Sequence, residues 1–170
     1  MATTYTLISS VILSTSAASI EFTSIPATYT DLLVKLSGRS SRSAATFEEF
    51  LLTFNNNTSN YSEVHLRGDG SNAIGQKFTG SSIQQVGQPG AGATASTFSN
   101  WEIYIPNYTG SQVKGISLNG ATENNASVAA TYFESGLWAD SAAITSIKLS
   151  GGSYSVVQHS TAYLYGISNA

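Results

Sequence analysis

The chain lacks cysteine and carries little charge, and both absences limit what it can do. Without Cys among its 170 residues, it can form no disulfide, thiolate metal site or Cys nucleophile. Charged residues make up 10% of the chain, against about 25% in an average soluble domain. The seven Lys and Arg residues are scattered and the net charge is −3, so we expect no binding of nucleic acid.

Long apolar runs are also missing. The most apolar candidate is Tyr5–Ile25, but Ser and Thr interrupt it and no Lys or Arg precedes it. Its apolar stretches are shorter than the run of about 18 apolar residues that a membrane span needs. It also lacks the basic residues with which a signal peptide begins. We therefore expect two strands here, in a protein that is made in the cytoplasm and does not contact a membrane.

Short runs of alternating apolar and polar residues are what the sequence has instead. Leu32, Val34 and Leu36 alternate with other residues in one such run. Turn signals such as Asn119-Gly120 and Gly151-Gly152 separate the runs, because these residues tolerate positive φ. Strands at this spacing, without alternating helices, are typical of sandwiches and barrels.

These patterns predict one all-β domain over residues 1–170. We expect an antiparallel β-sandwich, jelly-roll-like, with about 8–10 strands. Residues 1–25 are candidates for N-terminal docking strands. Ser and Thr make up about a quarter of the chain, which gives a polar, weakly charged surface suited to broad protein contacts or to sugars.

The residues that carry chemistry are few and dispersed. The two histidines are His65 and His159, and His65 alternates with Val64 and Leu66, which predicts an outward position on a strand. No Gly-x-Ser-x-Gly motif precedes a helical pattern. Glu48-Glu49 is the one adjacent acidic pair, and neighbours on a strand face opposite sides. A glycosidase pair on distant strands stays open, but no pattern favours it.

One loop has a weak resemblance to a calcium site. Asp69-Gly70-Ser71-Asn72 offers oxygen ligands but lacks the bidentate Glu that closes such loops. An Asp-Gly turn between two strands is the better interpretation. We therefore predict no catalytic, cofactor or metal site, and a protein that is not an enzyme.

Aromatic residues are the remaining candidates for contacts with partners. Rigid aromatic faces suit both protein interfaces and stacking on sugars. Trp101 and Trp138 are expected in the core or in a subunit interface, because large rings are usually buried. The candidate interface or glycan-contact residues are Tyr61, Asp69, Tyr108 and Asn125.

Several segments together resemble a family of small structural proteins from tailed bacteriophages, common in aquatic phages. The resemblance covers most of the chain and is weakest over 73–97. It implies a decoration or tail-associated virion component and carries over no catalytic residue. The segments are Tyr5-Thr6-Leu7-Ile8-Ser9-Ser10, 20–32, Phe54-Asn55-Asn56, Asn60-Tyr61-Ser62, Gly68-Asp69-Gly70-Ser71, 102–108, Glu123-Asn124-Asn125, Leu137-Trp138, 143–147 and Leu164-Tyr165-Gly166-Ile167.

Two functions follow as hypotheses, both on the virion. The first is a capsid decoration (cement) protein, a homo-oligomer and by virion architecture a trimer, that binds the major capsid protein or another virion protein. Its docking element is predicted at Thr4–Leu13, with the side chains of Tyr5, Leu7, Val11 and Leu13. The alternative is a tail-fibre or baseplate tip protein that binds host-surface glycans.

Overall fold

The chain is built from β-strands alone in its computed structural model, which describes residues 4–43, 45–123 and 129–168. Twelve strands and no helix lie in these ranges, so the all-β prediction is confirmed and the predicted number of strands is too low. The strands are β1 Tyr5–Ile12, β2 Ser19–Phe22, β3 Asp31–Ser37, β4 Phe47–Phe54, β5 Tyr61–Gly68, β6 Ala73–Gly80, β7 Ile83–Pro89, β8 Asn100–Ile105, β9 Lys114–Glu123, β10 Ala129–Trp138, β11 Ile147–Ser150 and β12 Thr161–Ile167.

Two antiparallel sheets pack against each other in a sandwich-like arrangement. The large sheet has eight strands in the order β1-β12-β3-β8-β9-β10-β5-β6, and the small sheet has four in the order β2-β11-β4-β7. Strands β1 and β6 are therefore the two edges of the large sheet. Strand β6 is mostly exposed along its whole length, so it has no alternation that the sequence could reveal.

Both tryptophans lie in the core between the sheets. Trp101 is 0% and Trp138 is 1% exposed, which decides between the two predicted positions in favour of the core. The Trp101 indole donates a hydrogen bond to the carbonyl of Gly87 at 2.7 Å, and its ring is tilted on Tyr132 with 5.3 Å between centroids. Strand β8 in the large sheet is thereby fixed to β7 in the small one.

A buried arginine holds the loop that follows β7. The guanidinium of Arg39 donates to the carbonyls of Thr94 at 2.8 Å, Thr97 at 3.0 Å and Ala93 at 3.2 Å. Arg39 is only 8% exposed, and several acceptors satisfy its charge-assisted donors, as a buried cation requires. The loop therefore has a fixed conformation despite its small residues.

Candidate functional site

Strand β1, which contains most of the predicted docking residues, lies at the edge of the large sheet. It pairs with β12 from Tyr5 opposite Ile167 to Ile12 opposite Thr161. Among the described residues no strand pairs with its other side. The outer backbone groups of an edge strand are a template for a further strand. The predicted docking element thus forms a strand. One of its sides is already paired with β12, so only the other side is open to a strand from a partner.

A β-bulge divides the predicted docking side chains into two groups. The pairing register shifts between Leu7 and Ser9, and a one-residue shift turns every later side chain to the opposite face. Tyr5 and Leu7 point outward, at 54% and 52% exposed. Val11 and Leu13 instead pack on the core as partly buried residues, so they offer a docking partner less surface than Tyr5 and Leu7 do.

Ile12 takes the outward place that the sequence assigned to Val11. It is 65% exposed, and only the bulge could have revealed it. The outer surface around β1 continues onto β12 and β3, where Leu7 lies opposite Tyr165 and Tyr165 lies opposite Leu33. We call this surface the β1 face; its exposed and partly exposed residues are Tyr5, Leu7, Ile12, Tyr163 and Tyr165, and the buried Leu33 lies at its base.

A shallow hollow of about 280 Å³ lies in the β1 face. Tyr5, Leu33 and Tyr165 form its apolar lining, and the ion pair of Lys35 and Glu102 closes one side. Both charged side chains are 48% exposed, so the pair adds little to stability. It leaves the hollow with an aromatic wall and a charged, hydrogen-bonding rim.

A second apolar surface lies toward the opposite edge of the same sheet. Val64 and Leu66 on β5 and Phe133 on β10 are 53%, 61% and 59% exposed. Leu66 and Phe133 are direct cross-strand partners, so the side chains are contiguous. We call these three residues the β5 face.

Two of the four predicted interface or glycan contacts are buried in the structure. Tyr61 is 3% and Tyr108 is 0% exposed, so neither ring can stack on a sugar, and this prediction is wrong for both. The Tyr61 hydroxyl accepts from the backbone N–H of Phe54 at 2.8 Å, and the Tyr108 hydroxyl donates to the carbonyl of Pro26. Both tyrosines are core residues whose polar ends are hydrogen-bonded.

Asp69 closes the turn between β5 and β6. Its carboxylate accepts from the N–H groups of Ser71 at 3.0 Å and Asn72 at 2.8 Å, and these bonds lower its pKa. Gly70 in the same turn has φ of +85°, which only Gly adopts without strain. The turn interpretation of this loop agrees with the geometry. Asn125, the fourth predicted contact, lies outside the described residues.

A buried acidic cluster, which the sequence did not predict, lies between the sheets. Glu63 on β5 is 3% and Glu134 on β10 is 6% exposed. His65, expected to point outward, is 1% exposed and is the direct cross-strand partner of Glu134. Glu49 on β4 approaches from the small sheet and influences both carboxyl groups electrostatically.

Few donors serve these carboxyl groups. Glu63 Oε2 accepts from the backbone N–H of Gln84 at 2.6 Å. Glu63 Oε1, both oxygens of Glu134 and both nitrogens of His65 make no hydrogen bond of regular geometry among the described residues. The side chains of Glu63 and Glu134 approach each other, and His65 approaches Gln76. The His65 ring lies flat on Phe78 with 5.7 Å between centroids. Unpaired buried polar groups of this kind are costly and rare in folded proteins.

Burial governs the protonation of the cluster. It raises the pKa of Glu63 and, together with the neighbouring Glu63 carboxylate, raises the pKa of Glu134 further. Burial also raises the pKa of Glu49 and lowers the pKa of His65. The neutral forms of all four groups are therefore favoured relative to exposed side chains.

The cluster does not have the form of an open glycosidase site. A glycosidase needs two carboxyl groups on either side of a bound sugar, whereas Glu63 and Glu134 are enclosed between the sheets. Within residues 4–43, 45–123 and 129–168, no group of three or more His, Asp or Glu side chains is arranged to hold a metal ion.

The described part of the chain contains no helix that is long and apolar enough to span a membrane. No family model matches the chain, and no curated protein or solved structure matches it either.

Proposed function

We propose that this protein is a structural protein of a bacteriophage virion, a decoration protein that stabilises the head by binding across capsid subunits. It acts without catalysis and without a cofactor. The observation that carries the proposal is the β1 face, where exposed apolar side chains lie beside the outer edge of β1. The sequence resemblance to small phage structural proteins supports the choice of the virion as the partner.

The partner on the β1 face is an extended, apolar segment of a capsid subunit. An edge strand supplies backbone hydrogen bonds to an added strand, and pockets for side chains then give specificity. Tyr5, Leu7 and Ile12 are each more than half exposed, so they can bury further apolar area on docking. The low charge of the chain keeps the cost of removing water from this surface small.

The β5 face serves contact between copies of the chain. It lies toward the other edge of the large sheet, so both faces can be occupied at once. Each copy would bind a capsid subunit through its β1 face and a second copy through its β5 face. The linked copies would then hold neighbouring capsid subunits together. This stabilises the assembled particle by mass action, because the decoration protein binds only the assembled state. We propose a trimer because a capsid lattice has threefold positions, at which three copies could bring their β5 faces together.

A tail-tip protein that binds host glycans is the second candidate, and one observation favours it. The hollow in the β1 face combines the rings of Tyr5 and Tyr165 with Lys35 and Glu102. Aromatic faces and charged rims suit sugars. The candidate glycan site therefore moves from Tyr61 and Tyr108 to this hollow.

Labelling of purified particles of the phage that carries the gene distinguishes the two candidates. An antibody against the protein, viewed by electron microscopy, is expected to cover the head. Label confined to the tail tip would contradict decoration and favour glycan binding. Particles without label, when disrupted particles also lack the protein by mass spectrometry, would overturn both.

A further inference from the structure

The buried acidic cluster connects the two sheets through one hydrogen bond. Glu63 Oε2 accepts from the backbone N–H of Gln84, which places a bond between β5 of the large sheet and β7 of the small one. Glu63 Oε1 faces no donor among the described residues. The same is true of both carboxyl oxygens of Glu134 on the neighbouring strand. A carboxyl group can supply the missing donor only when it carries a proton.

The groups around this pair come from every strand packed on it. Strand β5 contributes Glu63, His65 and Arg67, β10 contributes Glu134 and β4 contributes Glu49. The remaining neighbours are uncharged: the register sets Gln76 of β6 opposite His65, Leu118 of β9 opposite Glu134, and Gln84 lies on β7. The Arg67 guanidinium lies 5.9 Å from the centroid of the Phe47 ring and acts on Glu49.

We propose that Glu63 and Glu134 form a proton-dependent lock between the two sheets. In the locked state Glu134 carries one proton and donates it to Oε1 of Glu63, while Glu63 remains ionised and accepts from Gln84. Loss of that proton to solvent leaves two buried carboxylates side by side, with Glu49 as a third nearby acid. Their repulsion and their need for water drive β5 and β10 apart from the small sheet.

The direction of the pH effect follows from the raised pKa of Glu134. An exposed Glu in the unfolded chain loses its proton at about pH 4.3. Above that pH the unfolded chain has released a proton that the folded chain still holds. Stability therefore falls as pH rises toward the folded pKa, by up to about tenfold in the unfolding constant per pH unit. His65, with its lowered pKa, acts in the opposite sense at acid pH, because the unfolded chain then binds the extra proton.

The test compares the wild type with Glu134→Gln in urea unfolding between about pH 5 and pH 9. The amide of Gln donates to Glu63 as the protonated acid does, but it cannot ionise. We expect the unfolding constant of the wild type to rise by at least about tenfold more than that of the variant over this range. His65 is common to both proteins, so its titration does not produce this difference.

Glu102→Gln is the matched control, because Glu102 lies on the outer face of the same sheet in an exposed ion pair. It is expected to follow the pH dependence of the wild type. Parallel curves for the wild type and Glu134→Gln would overturn the proposal.

A second measurement decides the question if Glu134→Gln does not fold. Carbon NMR of the side-chain carboxyl groups in the wild type reports each glutamate directly. We expect two resonances, assigned through Glu63→Gln, that titrate together and above the range of the exposed glutamates. Ordinary titration of every glutamate would overturn the lock.

Discussion

The close approach of β9 to the Trp101 ring gives a sharp test of the sheet register. Gly120 on β9 lies directly opposite Trp101 on β8. A Cβ atom at Gly120 would lie 2.2 Å from Cδ2 of that ring, far inside contact distance. The ring cannot move away easily, because it is 0% exposed and its indole N–H is bonded to Gly87.

Gly120→Ala is therefore expected to destabilise the protein. Overpacking of a filled core costs about 1–3 kcal/mol, and the rigid ring places this site at the upper end, at about 3 kcal/mol. Gly115→Ala on the same strand is the matched control, since an added Cβ there meets nothing within 4 Å. A Gly→Ala change without a clash stabilises by about 0.4–1 kcal/mol.

The two variants should thus differ by about 3–4 kcal/mol in the free energy of unfolding. For a domain of this size that difference corresponds to about 6–16 °C in Tm. Urea unfolding followed by Trp fluorescence measures it, and the folded-state emission of Gly120→Ala should also shift because Trp101 is displaced. Equal stability of the two variants would refute the register of β8 and β9.

Three further predictions test the loops and the docking surface. Arg39→Lys loses the forked contacts to three carbonyls and should lower stability by about 1–3 kcal/mol in thermal unfolding; an unchanged Tm would contradict the clamp. Asn55→Asp replaces the amide that donates to Ala143 at 2.8 Å by an acceptor, and urea unfolding at neutral pH should show a loss of about 1–3 kcal/mol. Leu7→Ser combined with Ile12→Ser removes about 2 kcal/mol of docking energy, which is about 30-fold in the affinity for phage heads measured by co-sedimentation. Val113→Ser, equally exposed but outside the β1 face, should bind as the wild type does; equal binding of all three proteins would reject the β1 face as the docking surface.

Alternation in the sequence predicts strands well where only one face is buried. Strands β8 and β10 follow this rule, with every second residue buried. Strand β6 is mostly exposed on both faces, so burial imposes no period on it and alternation cannot reveal it. The division of β1 could not be predicted because a bulge leaves no mark in composition, yet it reverses which residues face the core.

The acidic cluster was missed for a different reason, because β5 is inverted. Its apolar residues Val64 and Leu66 point to solvent, while Glu63 and His65 point into the sandwich. Alternation shows that a segment is a strand but assigns its faces only by the assumption that apolar residues lie inside. A helpful signal was present in β10, where Phe133 and Glu134 show the same inversion.

The inversion on both β5 and β10 has a common physical explanation if the β5 face is covered in the working assembly. If Val64, Leu66 and Phe133 pack against a second copy, the outer face of these strands becomes a second buried surface. The apolar residues on that face are then buried in the assembly, as apolar residues usually are. The burial of Glu63 and Glu134 on the opposite face still costs free energy. The rule that apolar residues face the core is expected to fail at functional or strained sites. In our proposals the same two paired strands would carry a surface for a second copy on one face and a proton-sensitive contact on the other. Any separation of β5 and β10 from the small sheet at high pH therefore also disturbs the surface on which the copies meet, so the lock and the self-association that we propose are predicted to weaken over the same pH range.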